Sequence, residues 1–457
     1  MDIYKNIARL FTGTLAALDR AFRYGGVREL LGSVWDGLTA IADTAIHRLR
    51  KREDQGVVWP TFSPELLAYR PYRLAVCNDI SGDATHFSDF LGATRSGVSR
   101  YSTARKTDKT DANITVFSGA AEPHHQSGGA SATHDLAGLQ SALQRAYDAP
   151  DMRVLGAETD AKWIIDFSAC AQPLVSIIIP TRDQVVLLKA CVDSIREHTK
   201  MTPYEIIIVD NGSTEYATHA YLKDLVSSDP SRVSVIKDPA GFNWSRLNNL
   251  AAREARGSSI VFLNNDIEVR SSDWLVQLSG FAGAHGVGCV GAMLLFDDGS
   301  IQHAGVVVGI GRWADHLYKG SSPDLPAGGT PFVPPSVTRP VMAVTGACLA
   351  ISKAHFVALN GFDEAFSVIF SDVDLCVRAH RAGLRNIYCA EVRLIHHESK
   401  TRDPKRLPDG DFRRARQALA PYRVDEVDPY FNPALDKLSV FPRRRGQAVD
   451  LSRWIRM

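Results

Sequence analysis

The sequence lacks several features that would each indicate a particular class of protein. It has no apolar run near the ~18 residues that a membrane-spanning helix needs. Its 52 Lys and Arg residues balance 51 Asp and Glu residues, and this net charge of +1 gives no reason to expect a nucleic-acid partner. Its seven cysteines are scattered and form no C-x-x-C pair, which is typical of reduced thiols in a cytosolic protein.

Two common nucleotide-binding signatures are absent or incomplete. The chain has no Walker A sequence, so a P-loop fold is not expected. One G-x-G-x-x-A occurs at Gly309, Gly311 and Ala314, but the segment after it, His316–Pro326, has no helical pattern. Because a dinucleotide site places the phosphates on a helix N-terminus, we do not expect this signature to bind a dinucleotide.

The N-terminal third of the chain gives little information about function. Residues 1–52 have an amphipathic helical pattern, with apolar residues at three- and four-residue spacing and Arg9 and Arg20 on the other side. These charges argue against a signal peptide, so we expect a cytoplasmic protein. Two interpretations of the segment stay open: a peripheral contact with the inner membrane surface, or a helix pair packed on the main domain. Residues 53–170 form an accessory region with no assigned role.

From Leu174 onward, buried strand-like runs alternate with helical patterns. The clearest runs are Val175–Ile179, Glu205–Val209, Val233–Ile236 and the apolar run that begins at Ile260. Continuous apolar, β-branched runs separated by helices predict a mostly parallel sheet covered by helices, the α/β class. We expect this domain to span residues 171–400, with residues 401–457 as a C-terminal tail that packs on it.

Polar residues follow several of these strands where they end. The four groups are Pro180-Thr181-Arg182-Asp183, Asp210-Asn211-Gly212-Ser213, Asn264-Asn265-Asp266 and His396-His397. Because the carboxyl ends of parallel strands meet at one edge of a sheet, where open α/β sheets bind ligands, we expect these groups to converge. A carboxylate such as Asp266 at that edge can hold a hard divalent cation against a diphosphate.

Taken in order, these motifs resemble those of the inverting family-2 glycosyltransferases. The segments that carry the resemblance are Val175–Asp183, Ile208–Thr214, Phe262–Asp266, Thr345–Leu349, Asn360–Glu364, Ser371–Cys376 and His396–Ser399. Asp428–Pro433 is similar to the tail of bacterial members that build O-antigen, lipopolysaccharide and related surface polysaccharides. The resemblance implies a single GT-A-like domain that binds a nucleotide-sugar donor and needs Mn²⁺ or Mg²⁺. It also implies transfer of the sugar from a UDP- or dTDP-sugar to a glycan or lipid-linked acceptor.

The resemblance implies a nucleotide-binding role for one set of residues. Its members are Pro180, Thr181, Asp183, Asp210, Asn211, Arg246, Asn248 and Asn265. Asp210 and Asn211 match the pair that reads the pyrimidine and ribose, and the alternative for them is an Asx turn. A solvated helix surface is the alternative for Arg246 and Asn248.

The resemblance also implies a metal site with one acid missing. Asp266 matches the last acid of the family's D-x-D motif, and Asn264 stands where the family often has the first acid. We therefore predict His396 as the second protein ligand, with His397 as the alternative ligand or, failing that, a supporting residue. Imidazole beside a carboxylate suits Mn²⁺ or Mg²⁺, and of these two ions Mg²⁺ is less tolerant of a nitrogen ligand.

Inversion by direct displacement requires one general base on the acceptor side. Asp372 matches the family's base, whereas Ser371 stands where many members carry Glu. We predict that Ser371 caps the helix that begins here, that Asp372 takes the acceptor proton, and that Asp374 supports the site or the fold. The alternative is that Ser371 and Asp372 both merely cap the helix.

Two other functions stay open on the sequence. A non-catalytic nucleotide-binding scaffold would explain Asn264 and Ser371 as signs of lost activity, and a nucleotidyltransferase would also place Asp266 on a metal. The segment Gly288–Pro340 is expected to build the acceptor side, and it carries no pattern that names the sugar or the acceptor.

Overall fold

The computed structural model describes residues 136–156, 163–310, 313–325, 330, 332–397, 408–419, 428–431, 435, 437 and 439–442. The predicted helical segment 1–52 and the accessory region up to residue 135 lie outside these ranges, so the membrane contact stays a prediction. Among the helices in the described ranges, none has both the length and the apolar character that crossing a membrane requires.

Helices and strands alternate in the first part of the domain and give way mainly to strands in the second. In chain order the elements are α1 (Leu136–Tyr147), β1 (Arg153–Gly156), β2 (Trp163–Asp166), β3 (Val175–Thr181), α2 (Val185–His198), β4 (Tyr204–Asp210), α3 (Tyr216–Ser228), β5 (Val233–Lys237), α4 (Trp244–Glu254), β6 (Ser259–Leu263), β7 (Ile267–Val269), α5 (Trp274–Gly283), β8 (Val287–Leu295), β9 (Ile301–His303), β10 (Val306–Val308), β11 (Ala314–His316), β12 (Arg339–Val341), β13 (Cys348–Ser352), α6 (Lys353–Ala358), α7 (Ser371–Arg381), β14 (Arg385–His396) and α8 (Asp409–Ala418).

One ten-stranded sheet organises the domain. Its strand order is β12-β14-β8-β13-β6-β3-β4-β5, with β7 paired to β14 and β9 paired to β8. Strands β6, β3, β4 and β5 run parallel, and so do β8 and β14. Strand β13 lies antiparallel between β6 and β8 and joins these two parallel parts. The predicted α/β class with a mostly parallel sheet is confirmed, since four of the seven junctions along this order are parallel.

The two faces of the sheet carry separate hydrophobic cores. Because successive side chains of a strand point to opposite faces, Ile206 and Ile208 of β4 pack in one core and Ile207 in the other. Helices α2, α3 and α5 cover the first face, and α4, α7 and α8 cover the second. Burial on both faces explains why these strands are continuous apolar runs in the sequence.

Regions on either side of residues 171–400 contribute to these cores. Leu143 and Met152, which precede the predicted domain, pack in the first core. Ala415 and Phe431 of the described C-terminal tail pack in the second core. The helix and strands before residue 171 and the described part of the tail are therefore continuous with the domain in packing.

The sequence pattern predicts two short strands, Arg385–Tyr388 and Glu391–Ile395, and one strand-like run, Ile301–Ile310, and the structure differs in both places. The two short strands expected between Arg385 and Ile395 form the single strand β14, whose register against β8 shifts between Cys389 and Arg393. Such a shift interrupts the side-chain alternation without ending the strand, which explains the error. The single run expected over Ile301–Ile310 is divided into β9 and β10 near Gly305, whose φ of +90° suits glycine.

Candidate active site

The carboxyl ends of β3, β4 and β6 bring three of the predicted polar groups together. Thr181 pairs with Asp210 in the register of β3 and β4, and the Asn211 N–H donates to the Thr181 carbonyl at 2.9 Å. From the end of β6, the side-chain amide of Asn265 donates to Thr181 Oγ1 at 3.0 Å. The convergence follows from the parallel order of these strands, and it leaves Pro180 at the same edge, one residue before Thr181.

Several hydrogen bonds hold the turn after β4, and one acceptor atom in it has no hydrogen-bond partner among the described residues. Asp210 Oδ1 accepts the Ser213 N–H at 2.9 Å, which is the Asx-type turn considered as the alternative. Asn211 donates from its side chain to the carbonyls of Asp238 and Ala240 at 2.8 and 2.7 Å. Its buried Oδ1 has no hydrogen-bond partner within the described ranges. The turn is thus held by the donors of Asn211, while its Oδ1 meets no donor from the described residues.

Asp183 lies at the same edge but is engaged with the start of α3. Its Oδ1 accepts the N–H groups of Thr214 and Glu215 at 2.8 and 2.9 Å, and its own N–H donates to Ser213 Oγ at 2.8 Å. These bonds, that of Glu215 first, lower the pKa of the Asp183 carboxyl. Asp183 has a φ of +52°, an unusual value for a residue other than glycine. Its predicted contact with a nucleotide stays a prediction.

Helix α4 carries the two remaining residues of the predicted nucleotide set. Arg246 forms an ion pair with Asp238 and donates from Nη2 to the Gly241 carbonyl at 2.7 Å. It therefore braces the loop before α4, next to the turn that Asn211 holds. Asn248 is fully buried, and its side-chain amide donates to the Trp244 carbonyl at 2.8 Å. The structure does not bring the Asn248 side chain to the surface of this edge.

The predicted metal ligands lie together although 130 positions separate them in the chain. Asp266 Oδ1 is 3.1 Å from His396 Nε2, and both residues are buried. His396 Nδ1 is 2.6 Å from the side-chain oxygen of Gln302. Because an amide oxygen only accepts, Nδ1 carries a proton, and in the neutral imidazole Nε2 then presents a lone pair toward Asp266. The side-chain amide of Asn264 lies 3.5 Å from the same Nε2.

This arrangement fits a divalent cation. Asp266 Oδ1 is buried without a hydrogen-bond partner among the described residues, and it faces a second lone pair. Two such groups repel each other unless a proton or a cation lies between them, and the pair is a donor set that Mn²⁺ accepts. Among the described residues, no group of three or more His, Cys, Asp or Glu side chains is arranged to hold a metal ion, so a bound cation would complete its coordination with ligand or water oxygens.

His397 faces away from this pair. Its Nδ1 contacts Asp297 and its Nε2 lies 3.1 Å from Glu268 Oε2. Its backbone N–H donates to the Asp266 carbonyl at 3.0 Å. His397 is therefore placed to fix the end of β14 against β7, which agrees with a supporting position.

Asp372 lies at the second position of α7 and is half-buried. Its Oδ2 accepts the Gly346 N–H at 2.7 Å and its Oδ1 accepts the Val373 N–H at 2.8 Å. A Cβ on Gly346 would lie 2.7 Å from the Trp244 ring, so only glycine allows this approach. The Trp244 indole N–H points to the Asn264 side-chain oxygen at 3.4 Å. Trp244 thus connects the surroundings of Asp372 with those of the metal pair.

The start of α7 corrects one prediction. Ser371 was expected to cap the helix, but the N-cap is Phe370, and no side chain caps this end within the described ranges. Phe370 has a φ of +68°, and the buried Ser371 is already the first helical residue. Asp374 accepts from Arg378 Nε at 2.8 Å, and Arg378 Nη2 donates to the Gly361 carbonyl at 2.8 Å. Asp374 therefore supports the fold around α7.

The sequence reasoning missed two residues beside these groups. Gln302 of β9 orients His396, and its backbone carbonyl lies 3.0 Å from His316 Nδ1. His316 lies within electrostatic range of Asp372; burial lowers the pKa of His316, and the carboxylates of Asp315 and Asp372 oppose that effect. A polar residue inside the apolar run Ile301–Ile310 was the only signal for Gln302.

The tail motif also has a defined structural position. Asp428 is buried and accepts the N–H groups of Val308 and Tyr430 at 2.9 and 2.8 Å. Burial raises the pKa of the Asp428 carboxyl to about 6. The motif thus anchors the tail on β10.

Comparison with known proteins supports the resemblance found in the sequence. Residues 176–309 match the model of the family described as glycosyl transferase family 2. The chain is 42% identical over 265 residues to the O-antigen biosynthesis protein RfbC of Myxococcus xanthus, covering 58% of this chain and 20% of that protein. It is 41% identical over 271 residues to the uncharacterized protein y4gI of Sinorhizobium fredii, covering 58% of this chain and 29% of that protein. The predicted resemblance to family-2 glycosyltransferases is confirmed.

Two facts complete these comparisons. The chain spans less than a third of the length of either curated relative. Among solved structures, the crystal structure of GalNAc-T7 with UDP, GalNAc and Mn²⁺ matches with a TM-score of 0.45 at 13% identity, covering 70% of this chain and 67% of that one.

Proposed function

We propose that the chain is a metal-dependent, inverting glycosyltransferase that moves a sugar from a UDP- or dTDP-sugar to a glycan or lipid-linked acceptor. The observation that carries the proposal is the buried pair Asp266 Oδ1 and His396 Nε2, 3.1 Å apart, at the edge where β3, β4 and β6 end. A buried carboxylate oxygen that has no hydrogen-bond partner among the described residues and faces an imidazole nitrogen is costly in a folded protein unless a proton or a cation lies between the two atoms. The family match over residues 176–309 supports the same reaction class.

The donor would bind along the edge formed by β3, β4 and β6. A hydroxyl, a carboxylate and an amide group lie there, from Thr181, Asp210 and Asn265. The buried Oδ1 of Asn211 is an acceptor that has no donor among the described residues. Such groups can pair with the polar edge of a pyrimidine and with ribose hydroxyls. Arg246 holds the loop that borders them through Asp238. The nucleotide would thus be recognised by side chains whose positions are already set by hydrogen bonds.

Asp266 and His396 would hold the cation at the diphosphate end of the donor. A bound Mn²⁺ or Mg²⁺ supplies Lewis-acid chemistry by neutralising the charge on the departing nucleoside diphosphate. The protein contributes a fixed donor pair, because the Gln302 side chain sets the tautomer of His396. Trp244 and Asn264 border the pair on the side of Asp372.

Asp372 would act as the general base. Its carboxylate takes the proton of the acceptor hydroxyl while that oxygen bonds to the anomeric carbon, and the bond from this carbon to the diphosphate oxygen breaks on the opposite face. One bond forms and one breaks at the carbon, so the configuration inverts. The Gly346 and Val373 N–H groups fix the direction of the carboxylate before the acceptor arrives.

The relative's name, O-antigen biosynthesis protein, supports a role in bacterial surface-polysaccharide synthesis. The basic amphipathic pattern of residues 1–52 supports a cytoplasmic enzyme with peripheral contact to the inner membrane surface.

Calorimetry with UDP- and dTDP-sugars, with and without Mn²⁺, tests the proposal. Wild type should bind one donor class more tightly with Mn²⁺, and Asp266→Ala should bind that donor equally with and without the ion because it lacks the carboxylate. Glu254→Ala, at an exposed acid near the end of α4, is the matched control and should behave as wild type.

The products released from the donor separate the proposed reaction from the two alternatives. A glycosyltransferase releases nucleoside diphosphate, whereas a nucleotidyltransferase releases pyrophosphate and a scaffold releases neither. Release of pyrophosphate, or a Mn²⁺-independent donor affinity in wild type, would overturn the proposal.

A further inference from the structure

A buried carboxylate in the C-terminal helix binds the segment that leads to Asp372. Asp411 lies in the first turn of α8 and is 1% exposed. Its Oδ1 accepts the N–H and the hydroxyl of Ser367 at 2.9 and 3.1 Å. Its Oδ2 accepts the N–H groups of Val368 and Ile369 at 2.8 and 2.9 Å. Three successive backbone amides thus converge on one side chain, and that side chain lies outside residues 176–309.

The same segment is held from its other side by α4. The Trp244 N–H donates to the Ser367 carbonyl at 2.7 Å, and Ser245 Oγ donates to the Phe366 carbonyl at 2.7 Å. Trp244 is also the residue whose ring packs on Gly346, the backbone partner of Asp372. The segment therefore connects the helix beside the metal pair with the helix that carries the base.

The end of the segment has a backbone conformation that needs support. Phe370 has a φ of +68°, which costs energy for a bulky side chain and persists only where the surroundings impose it. Its ring packs against Trp313 and Phe412, with ring centroids 5.8 and 5.7 Å away. Phe412 follows Asp411 directly, so two adjacent residues of α8 restrain the segment. Asp372 lies two residues after Phe370.

We infer that Asp411 is a positioning residue for Asp372, and that α8 is thereby part of the transfer machinery. This inference rests on the proposed function. The four hydrogen bonds to Asp411 place the backbone of residues 367–369, the aromatic contacts fix Phe370, and the start of α7 then directs the Asp372 carboxylate. Asp411 is not among the proposed donor-binding residues, so we expect donor affinity to depend little on it.

Asp411→Asn tests the inference because an amide keeps the shape but not the chemistry. Its nitrogen is a donor and cannot accept the amides that one carboxylate oxygen now binds. A displacement of about 1 Å at a reacting group costs on the order of 100-fold in rate, so we expect kcat to fall by about 10- to 100-fold. The KM for the donor and its Kd measured by calorimetry should stay at the wild-type values. Asp411→Glu, which retains two acceptor oxygens, should recover part of the lost kcat.

Asp409→Asn is the matched control, since this exposed acid lies in the same turn of α8. It should change neither kcat nor donor affinity. If Asp411→Asn does not fold, Ser367→Ala removes the hydroxyl bond to Asp411 alone and should lower kcat by a smaller factor at unchanged donor affinity. Unchanged kcat in Asp411→Asn, or equal losses of donor affinity, thermal stability and kcat, would overturn the inference.

Hydrogen exchange separates this inference from the proposed function. In Asp411→Asn the amides of residues 367–369 should exchange faster than in wild type, while amides of β3 and β4 should not change. This measurement needs no substrate, so it tests the hold on the segment even if wild type transfers no sugar. Absence of transfer in wild type would overturn the proposed function, whereas unchanged exchange would overturn the inference alone.

Discussion

The two parts of the sheet build their polar groups in different ways. In the part formed by β6, β3, β4 and β5, the side chains after β3 and β4 bond to partners about one strand and helix further along the chain, and only Asn265 after β6 reaches back 84 positions, to Thr181. Asp183 bonds to a residue 31 positions away and Asn211 to one 27 positions away. In the part formed by β8 and β14 with α7 and α8, Gln302 and His396 are 94 positions apart and Asp411 and Ser367 are 44 apart.

This difference explains which part of the chain can be interpreted from its sequence. In a parallel sheet, every strand end lies at the same edge, so consecutive motifs converge by topology alone. In the second part, β13 and the long β14 bring distant segments together, and no local pattern records the partners. The match to the glycosyltransferase family model ends at residue 309, before Asp372, His396 and Asp411. The first part is therefore expected to bind the nucleotide, and the second to supply the base and, through His396 of β14, the second metal ligand.

The largest effect should come from removing the base. Asp372→Asn should lower kcat by about 10²- to 10⁴-fold, the usual contribution of general acid–base catalysis, because an amide cannot take the acceptor proton. Donor affinity measured by calorimetry should not change, since Asp372 belongs neither to the proposed nucleotide-binding residues nor to the metal pair.

Asp374→Asn, two residues further along α7, is the comparison variant for this prediction. It breaks the ion pair with Arg378. Its main effect should therefore be a lower free energy of unfolding, with only a small change in kcat. Wild-type turnover in Asp372→Asn would show that another residue is the base. It would also contradict the assignment of nucleotide binding to the first part of the sheet and of proton abstraction to the second.

A smaller effect is expected from Gln302→Leu. The change removes the acceptor for His396 Nδ1–H, so the imidazole can adopt the tautomer that points a proton at the cation. Loss of such a supporting group typically costs about 10- to 100-fold in metal affinity. Titration of Mn²⁺ followed by electron paramagnetic resonance measures this affinity directly.

Gln302→Glu serves as the control because it keeps an acceptor at the same position. Its Mn²⁺ affinity should be closer to wild type than that of Gln302→Leu. Equal Mn²⁺ affinity in wild type and Gln302→Leu would mean that β9 does not orient the metal ligand.

The smallest effect is expected from Asp183→Ala in the donor part. Loss of the bonds to the start of α3 should lower the free energy of unfolding by about 1 kcal/mol at pH 7, as for other helix caps. Because the folded-state pKa of Asp183 is lowered, this contribution is present above the unfolded-state pKa of about 4 and disappears as the pH falls through the folded-state value. Urea unfolding of both proteins at pH 7 and at pH 3 measures the difference.

Donor calorimetry on Asp183→Ala tests the predicted nucleotide contact at the same time. An unchanged donor Kd would assign Asp183 to the cap alone. A clear rise in Kd would mean that Asp183 both supports the start of α3 and contacts the donor. Structural and ligand-binding roles would then be combined in single residues in the donor part of the sheet as well.

Particular residues show how far prediction from sequence reached. The apolar runs of β3, β4 and β6 predicted strands that are buried on both faces, and their polar ends predicted the edge where Thr181, Asp210 and Asn265 meet. The start of α7 was predicted to within one residue, but the predicted N-cap was wrong. The N-cap is Phe370, in a left-handed backbone conformation, and not Ser371. No propensity predicts that conformation, since it is imposed by packing against Trp313 and Phe412.

The metal pair shows the same limit. The resemblance suggested Asp266 with His396, and the structure brings them to 3.1 Å, but the proton on the remote nitrogen of His396 depends on Gln302. That contact is made by a side chain whose position follows from the turn at Gly305 and from the pairing of β8 with β9.

By itself, the sequence determined the α/β class, the order of the strands that carry polar ends, and the identity of the acids at those ends. These properties are local, because apolar run length and strand-end chemistry are set by neighbouring residues. Only the tertiary structure decided which distant side chains complete each acid: His396 and Gln302 for the first, Gly346 and the Asp411-bound segment for the second. The physical reason is that a hydrogen bond between residues far apart in the chain depends on how the chain packs, and packing is a property of the whole core.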